Sequence, residues 1–194
     1  MKDGRKSKVA LFQEIRWHGR GGQGAWTASE LLAKAAVHEG KYIQSFPEFG
    51  PERMGAPLRA FTRISDKPIN LHCVIYTPHV VVVLDPTLLK TVPVAEGLPE
   101  DGILIVNTRE SPAEVRERLN LTGRKVWTLP ATDIAVKILG RAITNTAMLG
   151  AVARATGIVD LESLEKVMKE RFPLKIAEKN FEVVKEAYKE ARSG

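Results

Sequence analysis

The sequence predicts an α/β fold: a single domain with a mostly parallel sheet flanked by helices, a Rossmann-like glycine turn after the first strand, and a helical C-terminal third. Three observations carry this. Short β-branched segments, "HVVVVLDP" (79–86) and "DGILIVNT" (101–108), alternate with longer stretches of helical spacing. A strand-like segment runs straight into the four glycines of "HGRGGQG" (18–24). From residue 132 onward the apolar spacing is helical throughout.

In chain order, "VALFQEIRW" (9–17) reads as the first strand, and "WTASELLAKAAVHEG" (26–40) as a helix of strong helix formers closed by Gly40. "KYIQSF" (41–46) is a second strand, and the Pro- and Gly-rich "PEFGPERMGAP" (47–57) opposes regular structure. "LRAFTRIS" (58–65) sets apolar Leu58, Ala60 or Phe61, and Ile64 against Arg59, Thr62 and Arg63, as in a half-exposed strand. The turn residues of "SDKPI" then allow "NLHCVIY" (70–76) to pair back as a hairpin. Two buried strands follow at 79–86 and 101–108. "SPAEVRERLNL" (111–121) starts a helix with Ser111 at the N-cap, Pro112 at N1 and Glu114 at N3. "RKVWTLPA" (124–131) adds a strand. Four helices complete the chain, and in "DLESLEKVMKERF" (160–172) Leu161, Leu164, Val167 and Met168 share one face.

Composition narrows the function. With 194 residues, 44% hydrophobic and 27% charged, the chain is long enough for one substantial core, residues 9–194, behind a flexible basic tail at 1–8. The longest apolar runs, such as "VVVVL", are too short to span a membrane, and "MKDGRKSK" does not open a secretory signal. One cysteine, Cys73, forms no internal disulfide, which fits a reducing cytoplasm. The formal charge of +6 invites a nucleic-acid reading. Part of the excess lies in the tail, however, and the rest is interleaved with acids without the stacking aromatics of RNA-binding surfaces. Heavy use of Lys and Glu is a thermophile trait.

The glycines Gly19, Gly21, Gly22 and Gly24 fit G-x-G-x-x-G. A dinucleotide site also needs an acid closing the second strand, to bind ribose hydroxyls. Here Glu48 follows Pro47 inside a loop. Two readings stay open: a tight strand-to-helix turn, or a backbone-lined ligand site at a helix N-terminus, with Gly21 and Gly24 at positive φ presenting amides. Gln23 belongs to the same loop. Asp85, Asn107 and Thr108 end buried strands and share the carboxyl edge of the sheet with the glycines, either as ligand-facing groups or as turn chemistry. Asn145 opens a helix as a cap. His72, Cys73 and His79 lack metal-ligand spacing, so a buried cysteine and ordinary histidines are expected, and no metal site. Ser29 and Ser45 have no acid–base context, and no catalytic set is present.

Taken together, "HGRGGQG" and "FPEFGPERMGAPLRAFTRIS" (46–65) resemble the gamma subunit of pyruvate and related 2-oxoacid:ferredoxin oxidoreductases. Similarity continues through "PHVVVVLDP", "GILIVNT", "LPATDIA" and "TNTAMLGAVARATG", and so covers nearly the whole chain. Met54 stands where many relatives would carry a second arginine, as Glu-Arg-Arg-Gly, so a contact of that arginine does not carry over. The resemblance implies a non-redox subunit, not catalytic alone, in a pyruvate synthase assembled with alpha, beta and delta-type subunits. The complex would use thiamine diphosphate, Mg2+, iron–sulfur clusters and CoA on or with those other chains, split pyruvate to acetyl-CoA and CO2, and pass electrons to ferredoxin. One cysteine cannot ligate a cluster that needs four. Within this frame the glycine loop, Glu48 and Arg53 would form a CoA-side or subunit-contact surface, Arg53 meeting a CoA phosphate or a partner carboxylate. The alternatives are a free-standing dinucleotide-binding protein, a pure scaffold, or the equivalent subunit of a 2-oxoisovalerate, 2-oxoglutarate or indolepyruvate enzyme.

Overall fold

A parallel sheet needs crossover connections, and four strands of this chain are joined by them. The computed structural model describes residues 11–48 and 54–194, so the basic tail and Arg53 lie outside the described residues. The strands are β1 (Phe12–Arg20), β2 (Tyr42–Pro47), β3 (Pro57–Ser65), β4 (Val80–Val83), β5 (Ile103–Asn107), β6 (Lys125–Leu129) and the short β7 (Arg192–Ser193). The helices are α1 (Ala25–His38), α2 (Pro112–Arg118), α3 (Ala131–Leu139), α4 (Asn145–Thr156), α5 (Leu161–Arg171) and α6 (Leu174–Glu190). A 3-10 turn, Pro86–Lys90, follows β4. One sheet holds all the strands in the order β2-β3-β1-β4-β5-β6-β7. Its centre, β1-β4-β5-β6, is parallel, while β3 and β7 pair antiparallel at either side.

The central valines decide which face is which. Val80 and Val82 join Ile15, Trp17, Leu31, Ile105 and Met148 in the core beneath α1, α4, α5 and α6. Val81 and Val83 face the other way, against Leu88, Val94, Leu104, Val115 and Val126. The period of two along a strand thus feeds two cores from one run of four valines. In α2 the expected capping box is present, with Glu114 N–H donating to Ser111 Oγ and the Glu114 carboxylate accepting from Ser111 N–H. In α5, Leu164, Val167 and Met168 are buried and Leu161 packs at their margin.

Three local expectations are overturned. β3 is not half-exposed: Ala60 to Ser65 are all buried, including Thr62 and Arg63. Both its faces are covered. Thr62 Oγ1 shares hydrogen bonds with Ser29 on α1 and with Trp17 Nε1, while Arg63 lies beneath the 69–73 segment. That segment forms no hairpin, because its carbonyls serve side chains instead. Gln44 donates to Leu71 O at 2.9 Å, and Arg63 to Cys73 O at 2.8 Å. Cys73 is exposed rather than buried.

β1 likewise carries a buried guanidinium. Arg16 donates to the carbonyls of Val94 (3.0 Å) and Glu96 (2.5 Å) and to His18 Nε2 (3.1 Å). Burial, helped by the charges of Arg16 and Arg59, pushes the His18 pKa down to about 3. His18 is therefore neutral and free to accept. These bonds tie the loops at 76 and 94–96 onto the face of β1 opposite Ile15 and Trp17.

Candidate functional site

The glycine loop begins later than its sequence pattern implies. β1 continues through Gly19 to Arg20, with Gly19 opposite Leu58 of β3. Gly19 is needed for proximity: a Cβ there would lie 3.0 Å from Ala25 Cβ, at the first residue of α1. Gly22 (φ 92) and Gly24 (φ 77) adopt left-handed backbone, which L side chains rarely enter. Gly21 does not, contrary to expectation. Its amide is also spent internally, since Gly21 N–H donates to Ala56 O (2.9 Å) and Gly55 N–H donates to Gly21 O (3.1 Å). The two quoted motifs therefore meet backbone to backbone, extending the β1–β3 ladder past its last paired residues.

A side-chain knot fixes the loop from below. Gln23 Oε1 accepts from Arg20 N–H (2.8 Å), and Gln23 Nε2 donates to Asp85 Oδ2 (2.7 Å). Arg20 donates to the same carboxylate (3.1 Å), to Gly55 O (3.0 Å) and to Thr87 Oγ1 (2.8 Å). Asp85 also caps the 3-10 turn by accepting from Thr87 N–H. Burial by itself would raise the Asp85 pKa, but hydrogen bonds from Thr87 and Gln23 and the charge of Arg20 hold it below its ordinary value. A depressed carboxylate adds stability that is complete above its unfolded pKa and is lost as pH falls through the folded value. Asp85→Asn should accordingly lower the stability at pH 7 and flatten its decline below pH 4, as read from urea midpoints across pH. An unchanged acid limb would show that Asp85 is not bonded as described.

The start of α1 is open. Gly24 is its N-cap, no side chain caps it, and its first turn holds no acid. The leading amides of such a helix have no partner within it and carry partial positive charge. α4 begins beside it in the same condition, with no side-chain cap and no acid in its first turn. Asn145, the first residue of α4, is only 7% exposed. Its Oδ1 accepts from Thr146 N–H, while its Nδ2 donates to no group among the described residues and lies 2.7 Å from where a Gly24 Cβ would stand. Asn145 is thus not the N-cap expected of it; Thr144 holds that position. Its amide points over the glycine turn. Only packing α4 against α1 creates this corner, so spacing along the chain held no sign of it.

The remaining expected residues separate. Asn107 closes inward, donating to Leu84 O and Thr132 Oγ1 and accepting from Thr132 N–H, and its amide is spent on structure. Thr108 stays on the carboxyl edge but opens onto a cleft of about 180 Å³ beside Arg109, Asp133 and Arg192, away from the glycine knot. Glu48 is held in a fork by Arg59 Nε and Nη2. β3 lies between β1 and β2, so the end of β2 stands two strand spacings from β1, about 9–10 Å. In a dinucleotide fold those two strands are neighbours, and Glu48 is displaced from the ribose position accordingly. Among the described residues no group of three His, Cys, Asp or Glu is placed to hold a metal ion, and no helix is long and apolar enough to cross a membrane.

Comparison with known proteins identifies the family. The family model described as pyruvate ferredoxin/flavodoxin oxidoreductase matches residues 14–190. The pyruvate/ketoisovalerate oxidoreductases common subunit gamma of Pyrococcus abyssi is 56% identical over 179 residues, covering 92% of this chain and 97% of the relative. Pyruvate synthase subunit PorC of Methanocaldococcus jannaschii is 52% identical over 177 residues, covering 91% and 96%. The crystal structure of pyruvate oxidoreductase subunit PORC from Thermotoga maritima superposes with a TM-score of 0.85 at 47% identity, over 94% of this chain and 98% of that one. With its two motifs joined at one corner and its fold matched end to end, this chain belongs to the pyruvate ferredoxin/flavodoxin oxidoreductase family.

Proposed function

We propose that the chain is the gamma subunit of a multi-subunit 2-oxoacid:ferredoxin oxidoreductase acting on pyruvate, working in the cytoplasm and not catalytic by itself. The observation that carries this is the end-to-end likeness, at over half identity, to subunits named as common to pyruvate and ketoisovalerate enzymes. A subunit shared by two enzymes cannot hold the contacts that choose the acid, so substrate selection belongs to other chains. Thiamine diphosphate, Mg2+ and the iron–sulfur clusters are likewise assigned to alpha, beta and delta-type partners. Residues of this chain do not fit them: one cysteine cannot supply the four thiolates of a cluster, and among the described residues no group of three His, Cys, Asp or Glu is placed to hold a metal ion.

What this chain contributes is the corner where Gly24 meets Asn145. Two helix N-termini and one unpaired amide donor converge there, a setting for an anionic group. In the assembled enzyme we assign it to the CoA side of the reaction, with the Arg20–Gln23–Asp85 knot holding its shape. Reconstitution tests the reading. The purified chain should be colourless and should not oxidise pyruvate. Complexes lacking it should lose CoA-dependent ferredoxin reduction, and adding it back should restore activity. NAD or NADP binding at micromolar affinity, measured by calorimetry, would instead favour a dinucleotide-binding protein. So would turnover that is indifferent to the chain.

A further inference from the structure

α1, α4 and α6 all begin at the same end of the molecule. Gly24 touches Asn145, and Thr146 Oγ1 bonds Asn180 Oδ1, whose amide donates to Ile176 O in the first turn of α6. Large apolar side chains stand exposed around this end: Trp26 in the first turn of α1, Ile143 just before α4, and Leu174 and Ile176 in the first turn of α6. Exposed apolar residues scattered singly need no explanation, but a set collected at the starts of α1 and α6 and of α4, which packs between them, marks an interaction surface.

Charge says what covers it. In none of the three does the N-cap side chain bond a helix amide, and none has an acid in its first turn, although Asn145 Oδ1 takes the Thr146 amide of α4. α5 begins at the opposite end, where Asp160 N–H donates to Glu39 just past α1, and there Asp160 caps the helix. Exposed Arg141, Lys175 and Lys179 flank the apolar side chains, have no ion pair among the described residues, and outnumber the one acid between them, Glu178. Partial positive charge at three helix ends therefore adds to a local excess of full positive charge.

We infer that this end of the chain docks a partner subunit presenting an apolar patch ringed by carboxylates. The inference rests on the gamma-subunit reading and adds the face through which the subunit is held, around the Gly24–Asn145 corner. The open corner then lies inside the interface, where a third molecule can be enclosed between chains.

Aspartate substitutions test it, because an acid in the first turn complements the helix dipole and leaves the isolated fold intact. Trp26→Asp and Leu174→Asp/Ile176→Asp should keep the thermal midpoint of the isolated chain within a few degrees of wild type. Co-expressed with the remaining subunits, they should be recovered in the complex at least tenfold less than wild type. Val37→Glu, an exposed apolar site near the far end of α1, should assemble normally. Normal assembly of both rim variants overturns the inference while leaving the subunit reading intact. Failure of the wild-type chain to assemble overturns that reading and the inference with it. Lost assembly in Val37→Glu equal to that in the rim variants would also overturn the inference, because the effect would then not be local.

Discussion

Gly24→Val should cost the isolated chain about 1–3 kcal/mol through left-handed strain alone, enough to see in a thermal or urea midpoint without unfolding a stable domain. Its larger effect should fall on the assembled enzyme, as a rise in the CoA KM of at least tenfold. The cause is local. A Cβ at Gly24 would sit 2.7 Å from Asn145 Nδ2, so the amide that overhangs the turn must move away. Gly22→Val supplies the control. Its φ of 92 imposes comparable strain, yet a Cβ there meets nothing within 4 Å. It should lose similar stability with a KM change of threefold or less. Equal KM changes in the two variants would remove Asn145 from the site and leave strain as the whole effect.

Arg63→Met should destabilise the chain by about 3–5 kcal/mol, the range for breaking one side of a buried ion pair. Arg63 is 1% exposed and donates to Glu14 Oε1 (2.7 Å), Gln44 Oε1 (3.0 Å) and Cys73 O (2.8 Å). Removing it leaves the Glu14 carboxylate, 14% exposed, without its partner and loosens the 69–73 segment, which Gln44 still holds at Leu71 O. Arg63→Met/Glu14→Gln should recover part of the loss, because no unpaired charge then remains. Urea unfolding of both variants decides the matter. A single variant within 1 kcal/mol of wild type would mean that the pair contributes little.

These two sites show different degrees of legibility. Gly24 announced itself, since glycines closing a strand before a helix have a local cause in backbone φ and close packing. Arg63 did not. Arginine alternating with apolar residues reads as a solvent face, and only the arrival of the 69–73 segment, whose carbonyls lack a strand partner, turns that face inward. Cys73 was misplaced for the same reason. It rides on a segment whose path is set by Arg63 and Gln44, not by its own residues.

The sequence by itself determined most strands and helices in order, the start of α2 at Ser111, the glycine turn and the resemblance to the gamma subunits, but it added a strand at 70–76 and missed β7. Each of these rests on local signals: periodicity, capping and turn residues, and motif spacing. The tertiary structure alone decided that β3 inserts between β1 and β2 and carries Glu48 away from the first strand. It alone brought Arg20 to Asp85 and Asn145 to Gly24, across 65 and 121 positions of chain. Such contacts are chosen by which faces must be buried together, and a face becomes buried only when a distant segment packs against it.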